Sequence, residues 1–323
     1  MARIAIVTPA RAGTRNGNRH TAQRWAAHLR AAGHRVSVDT AWNGRPCDLL
    51  VALHARRSHQ SILDYRKQSP TGPLVVVLTG TDLYKDLPAS RTARRSLQFA
   101  DLIVTLQPEA KNKLSRKFQA KTRVVYQSSD ASVRHAAPKD RIRVTVVGHL
   151  REEKDPFRAA CALAHLTGDI EILQIGDALS PEFANQARQH MKRDARYRWL
   201  GGRTHGQALG WIARSHALVV SSAMEGGANV ICEAARIGTP VLASRMSGNI
   251  GMLGRNYPGY FPLFDERALS RLIKKLIEEK KYRQILKRAL AVRRHLFAPS
   301  AERAALARVV REALARPRVE SRP

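Results

Sequence analysis

Over the first 127 positions, apolar residues come in short unbroken runs. RIAIVTP (3–9), RVSVD (35–39), DLLVALH (48–54), LVVVLTG (74–80), DLIVTLQ (101–107) and TRVVYQ (122–127) are rich in leucine and β-branched side chains. A strand with one wet face alternates apolar and polar residues. A continuous run predicts a strand covered on both faces. Between the runs the spacing shifts to the helical period, as from Thr21 to Ala32, where Gly33 supplies a stop. Strand–helix repetition of this kind predicts a parallel sheet layered by helices.

The pattern breaks at SSDASVRHAAPKDR (128–141), which is polar, aperiodic and reads as a linker. It restarts with IRVTVVG (142–148), IEILQIG (170–176), YRWLG (197–201), ALVVSS (217–222) and PVLAS (240–244). From Asp265 onward the spacing is helical. A closing helix is expected over Ser300–Ala315, with Pro299 and Ser300 as its start signal. The expected fold is α/β, with two doubly wound, Rossmann-like domains facing an interdomain cleft. The domains span 1–138 and 139–299, and 300–323 form a C-terminal helix and tail able to cross back. A chain of 323 residues is long enough for two such cores. Open α/β sheets bind ligands beyond the carboxyl ends of their strands, so the loops that follow the strands are the ones to search.

Composition narrows the class. A hydrophobic share of 44% argues against disorder. No apolar run reaches the ~18–20 residues of a membrane span, so stable membrane insertion is not expected. The opening MARIAIVTPARAG lacks the apolar core and cleavage site of a signal peptide. Cys47, Cys161 and Cys232 form no CxxC and read as small buried hydrophobes in a reducing compartment. A cytoplasmic protein is expected. The 56 Lys and Arg against 26 Asp and Glu give a formal charge of +30. Such a field suits nucleic acid, anionic lipid or small anionic substrates, and equally describes a plain arginine-rich surface. No aromatic-interleaved RNA motif or zinc-finger spacing accompanies it, so nucleic acid is not an expected partner.

The chemistry gathers in strand-end loops. In ALVVSSAMEGGANVICEAARIGTPVLAS, Gly226 and Gly227 leave backbone accessible where a helix begins, and Ala228, Asn229 and Val230 would present its first N–H groups. A helix N-terminus seats phosphate through those donors and its dipole. Glu233, one to two turns in, could accept from a ribose. Glu225, at the loop tip, could face a sugar. The same residues also fit a plain turn beside a surface glutamate. In GHLREEKDPF, Gly148 is followed by His149, Arg151 and Lys154, which could converge on that anion, and Pro156 suits a first helical turn. In the first domain, TPARAGTRNGNRHTAQRW (8–25) carries Arg11, Arg15 and Arg19 without the G-x-G-x-x-G spacing of a dinucleotide site. His54, Arg56 and Arg57 close one strand, and TGTDLYKD (79–86) closes the next. A strand-end histidine also fits simple packing, and Asp82 also fits an ordinary cap. There is no Asp-x-Asp, HExxH or P-loop pattern. No metal and no cofactor are therefore expected, and a pyrophosphate leaving group would be met by Arg, Lys and backbone dipoles.

Glu225 and Glu233 in E-x7-E spacing, preceded by Gly148, Leu150 and Lys154 in G-x-L-x3-K, resemble the GT-B glycosyltransferases of family 4. TGTDL resembles the HGTDL strand end of those enzymes, which use nucleotide sugars without a metal. GNRHTAQRWA, LVALHARRS, VVLTGTDLYKDL, GHLREEKDPFRAA, SSAMEGGANVICEA and YPGYFP resemble, more narrowly, the selenosugar synthases of selenoneine biosynthesis. That resemblance implies transfer of selenophosphate to the anomeric carbon of a UDP-hexose, UDP-GlcNAc above all, with loss of UDP and phosphate. The substrates would be small molecules, and the enzyme would couple to one that makes selenophosphate. Glu225 would contact the sugar and Glu233 the uridine ribose. Gly148, Gly226, Gly227 and the N–H groups of Ala228, Asn229 and Val230 would line the donor site, and Lys154 would neutralise the pyrophosphate. His149 stands where most members have arginine, with Arg151 as substitute. Thr79 stands where many have a sugar-contacting histidine, a task assigned here to His54. Gly17, Asn18, Arg19, Arg56, Arg57, Gly80, Thr81 and Asp82 complete the expected acceptor and sugar side. Two other readings stand beside this one: a family 4 transferase acting on a lipid or lipopolysaccharide at an anionic membrane, and a nucleic-acid-binding protein on a degenerate scaffold.

Overall fold

The computed structural model describes residues 1–10, 13 and 17–316. Arg11 and Arg15 lie outside the described residues. Contacts divide the chain into two compact units, Met1–Gln127 with Pro299–Pro323, and Ser128–Ala298.

The first unit holds six parallel strands: β1 (Arg3–Val7), β2 (Arg35–Asp39), β3 (Leu49–Leu53), β4 (Leu74–Leu78), β5 (Leu102–Thr105) and β6 (Thr122–Val124). Their order is β2-β1-β3-β4-β5-β6. The unbroken apolar runs have the expected cause. Leu49, Val51 and Leu53 of β3 pack with Trp25 and Leu29 on one face, while Leu50 and Ala52 pack with Ile62 and Tyr65 on the other. Both faces of β3 are dry, but β2, at the sheet edge, is exposed or half-buried at every position, so RVSVD, which alternates polar and apolar residues, is not the doubly covered strand expected.

The helix Pro299–Ala315 belongs to this unit's core. Leu306, Val309, Val310 and Ala313 pack into the layer that holds Trp25. Glu302, 1% exposed, accepts from Trp25 Nε1 at 2.8 Å and Arg24 Nε at 2.7 Å. Arg24 answers the buried charge, and the indole N–H occupies a further lone pair.

The second unit carries β7 (Ile142–Val147), β8 (Ile170–Ile175), β9 (Tyr197–Trp199), β10 (Ala217–Val220), β11 (Val241–Ser244) and β12 (Tyr260–Phe261). Their order is β12-β11-β10-β7-β8-β9, again parallel. β12 was not expected from the sequence, since two residues are too short a run to signal a strand. The chain leaves β7 toward β8 and β9, then returns to β7's other side with β10. That reversal is a topological switch point, where the loops after β7 and β10 diverge to opposite faces.

Residues 128–141 contain no helix or strand, as a linker would, yet they lie against the second unit. Ala136 N–H donates to Ala213 O at 2.8 Å, and His135 Nε2 lies 2.9 Å from Ser215 O. The two units divide after Gln127, and these bonds hold residues 135 and 136, upstream of the boundary at 138 drawn from the sequence, to the second unit. Among the described residues no helix is long and apolar enough to cross a membrane.

Candidate functional site

The second unit's site is built where β7 and β10 part. After β10, the Ser221 hydroxyl reaches Lys154 O at 3.1 Å and Asp155 O at 2.8 Å. Ala223 N–H and Met224 N–H both donate to Glu153 O, at 3.0 and 3.2 Å. The loop after β7 is thus fastened to the loop after β10 by backbone groups on either side of Lys154. Asp155 closes the short turn with a left-handed φ of 43°.

Held in this way, Lys154 Nζ donates to Glu225 Oε2, and Ser222 Oγ lies 3.3 Å from the same oxygen. Ser222 is fixed in turn by Ser244 Oγ, which donates to Ser222 O at 2.6 Å. Both partners of the ion pair are largely buried, with side-chain exposures of 21% and 12%. Gly248 permits the arrangement: a Cβ there would stand 2.0 Å from the Glu225 carbonyl oxygen. Gly226 and Gly227 are buried, and neither adopts a positive φ. No left-handed turn therefore requires a glycine at either position.

The helix Asn229–Ile237 follows, with Ala228 as its N-cap. No side chain caps it and its first turn carries no acid. Its internal bonding starts with Ile231 N–H to Ala228 O at 3.0 Å. The N–H groups of Ala228, Asn229 and Val230 bond to no group among the described residues. Three donors and a helix dipole of the right sign therefore converge beside Lys154. Glu233, on the same helix, is 8% exposed, and its Oε1 lies 3.0 Å from His205 Nε2.

The remaining residues of the loop after β7 have carboxylate neighbours. His149 Nδ1 lies 3.9 Å from Asp177 Oδ2, and Arg151 Nε lies 3.9 Å from Glu153 Oε2. Gly148 lies against the Lys154 stem, and Gly176 packs so closely on Gly148 O that a Cβ would stand 2.0 Å from it.

The first unit gathers a separate cluster at the carboxyl ends of β3 and β4. Asp82 is fully buried. Its Oδ1 accepts from the N–H groups of Thr79 (2.9 Å), Gly80 (2.9 Å) and Leu83 (3.1 Å), and its Oδ2 from Ala55 (3.0 Å). That carboxylate clamps two loops, and its oxygens are occupied by backbone. His54 is 1% exposed and adopts φ 73°. Its Nδ1 accepts from Arg57 N–H at 3.3 Å, and its Nε2 lies 3.1 Å from Thr81 Oγ1. Burial pushes its pKa below the ordinary histidine value. Arg56 Nε lies 2.9 Å from Asp86 Oδ1, while the Arg57 side chain is exposed. Gly17, Asn18 and Arg19 open the helix Gly17–Ala31, where Gly17 O accepts from Thr21 Oγ1 at 2.9 Å.

Residues 128–291, just over half of the chain, match the family described as Glycosyl transferases group 1. The chain belongs to that family. Solved structures of similar fold span nearly all of this group 1 glycosyltransferase. HepE from Anabaena in complex with UDP-glucose is 17% identical, with a TM-score of 0.78 over 97% of this chain and 100% of that one. Sucrose-phosphate synthase from Thermosynechococcus elongatus is 17% identical, with a TM-score of 0.79 over 98% and 100%. The catalytic domain of starch synthase IV from Arabidopsis thaliana, bound to ADP and acarbose, is 10% identical, with a TM-score of 0.73 over 97% and 99%. The architecture is GT-B, as the sequence led one to expect.

Sequence reasoning named Lys154, Glu225 and Glu233 in this glycosyltransferase but not Ser221, Ser222, His205, Gly248 or Asp86. The two serines sit at a strand end and were legible as loop-start polar residues. His205 is distant from Glu233 in sequence, and Gly248 carries no local signal of its contact.

Proposed function

We propose that this protein is a metal-independent, UDP-sugar-dependent glycosyltransferase of the SenB type, which joins selenophosphate to the anomeric carbon of a UDP-hexose such as UDP-GlcNAc. The observation that carries the donor reading is the set of N–H donors at Ala228–Val230 that bond to no group among the described residues, with Lys154 on one side and Glu233 on the helix behind. A diphosphate suits the three donors, Lys154 offsets its charge, and Glu233 suits a ribose diol. Glu225, now paired with Lys154, would turn toward the hexose as the diphosphate takes over the ammonium. The UDP-glucose in the HepE structure supports a uridine donor by analogy of fold.

In this reaction the selenium forms the C–Se bond while the C1–O bond breaks, its electron pair leaving on the UDP β-phosphate. Water then cleaves the P–Se bond, releasing phosphate and leaving the selenol of the sugar. Selenophosphate is already ionised and soft, so the step needs no strong base. It needs cations, since two anions 4 Å apart repel by roughly 1–4 kcal/mol per charge pair. Arg56 and Arg57 are assigned to that acceptor. The deciding assay combines purified protein, UDP-GlcNAc and selenophosphate, with mass spectrometry for the selenosugar and thiophosphate and water as comparison nucleophiles. Release of UDP without a selenium-bearing sugar would refute the acceptor assignment.

A second reading, transfer to a lipid or lipopolysaccharide acceptor, is favoured by one surface. The helix Lys280–Arg293 contains no acidic residue. Lys281, Ile285, Arg288 and Val292 recur along its exposed side, with Ile285 and Val292 42% and 70% exposed. Basic groups interleaved with aliphatic ones suit an anionic bilayer. Salt-sensitive flotation with phosphatidylglycerol vesicles, but not with phosphatidylcholine, would favour this reading. No flotation with either would remove it.

A further inference from the structure

His54 and Thr81 form a hydrogen-bond chain whose direction is fixed at one end. The Arg57 N–H is an obligatory donor and points at His54 Nδ1 from 3.3 Å. That nitrogen must therefore be the acceptor of the imidazole. His54 is 1% exposed, and burial favours its neutral form. Its one proton then resides on Nε2, 3.1 Å from Thr81 Oγ1. Asp86 Oδ2, at 3.8 Å, is too far to compete as acceptor. So Thr81 Oγ1 accepts, and the hydroxyl's own proton is left for something else. No group among the described residues takes it. Thr81 is half-buried at the end of β4, with the exposed Arg56 and Arg57 across the His54 loop.

His54 itself is too enclosed to touch a substrate. Its left-handed backbone, φ 73°, carries a steric cost for a β-substituted residue and is retained where the imidazole reaches Thr81. The arrangement holds Thr81 as a donor-only hydroxyl. On the loop that holds His54, the exposed Arg57 has no carboxylate within ion-pair distance among the described residues, whereas Arg56 is held by Asp86. A donor-only hydroxyl, with an exposed guanidinium on the loop bonded to it through His54, suits an oxyanion.

We propose that the Thr81 hydroxyl donates to a phosphoryl-type oxygen of the acceptor substrate, and that His54 is a positioning residue acting through Thr81. This rests on the small-anion acceptor proposed above. It moves the task assigned to His54 from direct sugar contact to orientation of a neighbour.

The test uses full-length protein saturated with UDP and thiophosphate as the stable probe, read by calorimetry. Thr81→Val is expected to weaken thiophosphate binding about tenfold or more. Thr81→Ser should stay within about threefold of the wild type. The affinity for UDP should not move in either, which reports an intact fold. His54→Ala should weaken thiophosphate binding in the wild-type background and have no further effect in the Thr81→Val background, as expected when one residue acts through another. Nitrogen-15 shifts of the imidazole should show the Nε2–H tautomer. Unchanged binding by Thr81→Val, additive effects of the two substitutions, or an Nδ1–H tautomer would overturn the proposal and leave the acceptor reading standing. Absence of thiophosphate binding to the wild type would sink both.

Discussion

Glu233 is a buried carboxylate whose partner is a side chain. Its hydrogen bond to His205 occupies Oε1, and the His205 side chain is 57% exposed. A ribose diol would take the place of that contact. Glu233→Ala should raise the dissociation constant for UDP by roughly 10- to 150-fold, the equivalent of ~1.5–3 kcal/mol for hydrogen bonds to a charged group. Titration calorimetry measures this directly, and an unchanged affinity would remove Glu233 from the donor site. Asp82 offers the contrast. It looked equally polar in sequence, yet four backbone N–H groups consume its oxygens. Residue type could not separate these two acids. What separates them is the partner: backbone N–H groups for Asp82, an exposed side chain for Glu233.

At the level of elements, the terminal helix shows how much of a distant segment a domain can require. Its sequence announces a helix, with Pro299 at the start and apolar residues at helical spacing. Only the packed structure shows that the apolar side covers β3 and the helix Gly17–Ala31. Glu302→Ala would leave the buried Trp25 N–H without its acceptor and Arg24 without its counter-ion. A loss of about 2–3 kcal/mol is expected. Urea unfolding should show a lower midpoint at unchanged slope, and a variant as stable as the wild type would mean that the helix contributes by apolar packing alone. The loop after β7 is the complementary case. Its G-x-L-x3-K pattern was legible, but its hold on Lys154 comes from the Ser221 hydroxyl and from two N–H groups on the loop after β10.

Across the whole molecule, titration follows burial. His54, His59, His135, His190 and His216 all have pKa values lowered from 6.5, each chiefly by desolvation. Between their folded values and 6.5 the unfolded chain binds more protons than the folded one. This contribution to stability is complete above about pH 6.5 and is lost as the pH falls below it. The melting temperature should therefore be lower at pH ~5.5 than at pH ~8, measured by calorimetry at constant ionic strength. Equal or higher stability in acid would contradict the buried, neutral histidines. The sequence by itself determined the two parallel sheets, because a strand dry on both faces must be apolar throughout, and that requirement is local. It also determined which loops carry cations, glycines and paired glutamates, because those choices are made residue by residue. Only the tertiary structure decided that Lys154 meets Glu225, that His205 answers Glu233, that Gly248 admits the Glu225 backbone and that the last helix completes the first unit. Each of these contacts joins segments far apart in the chain, and their distances are set by how the layers pack rather than by any periodicity along it.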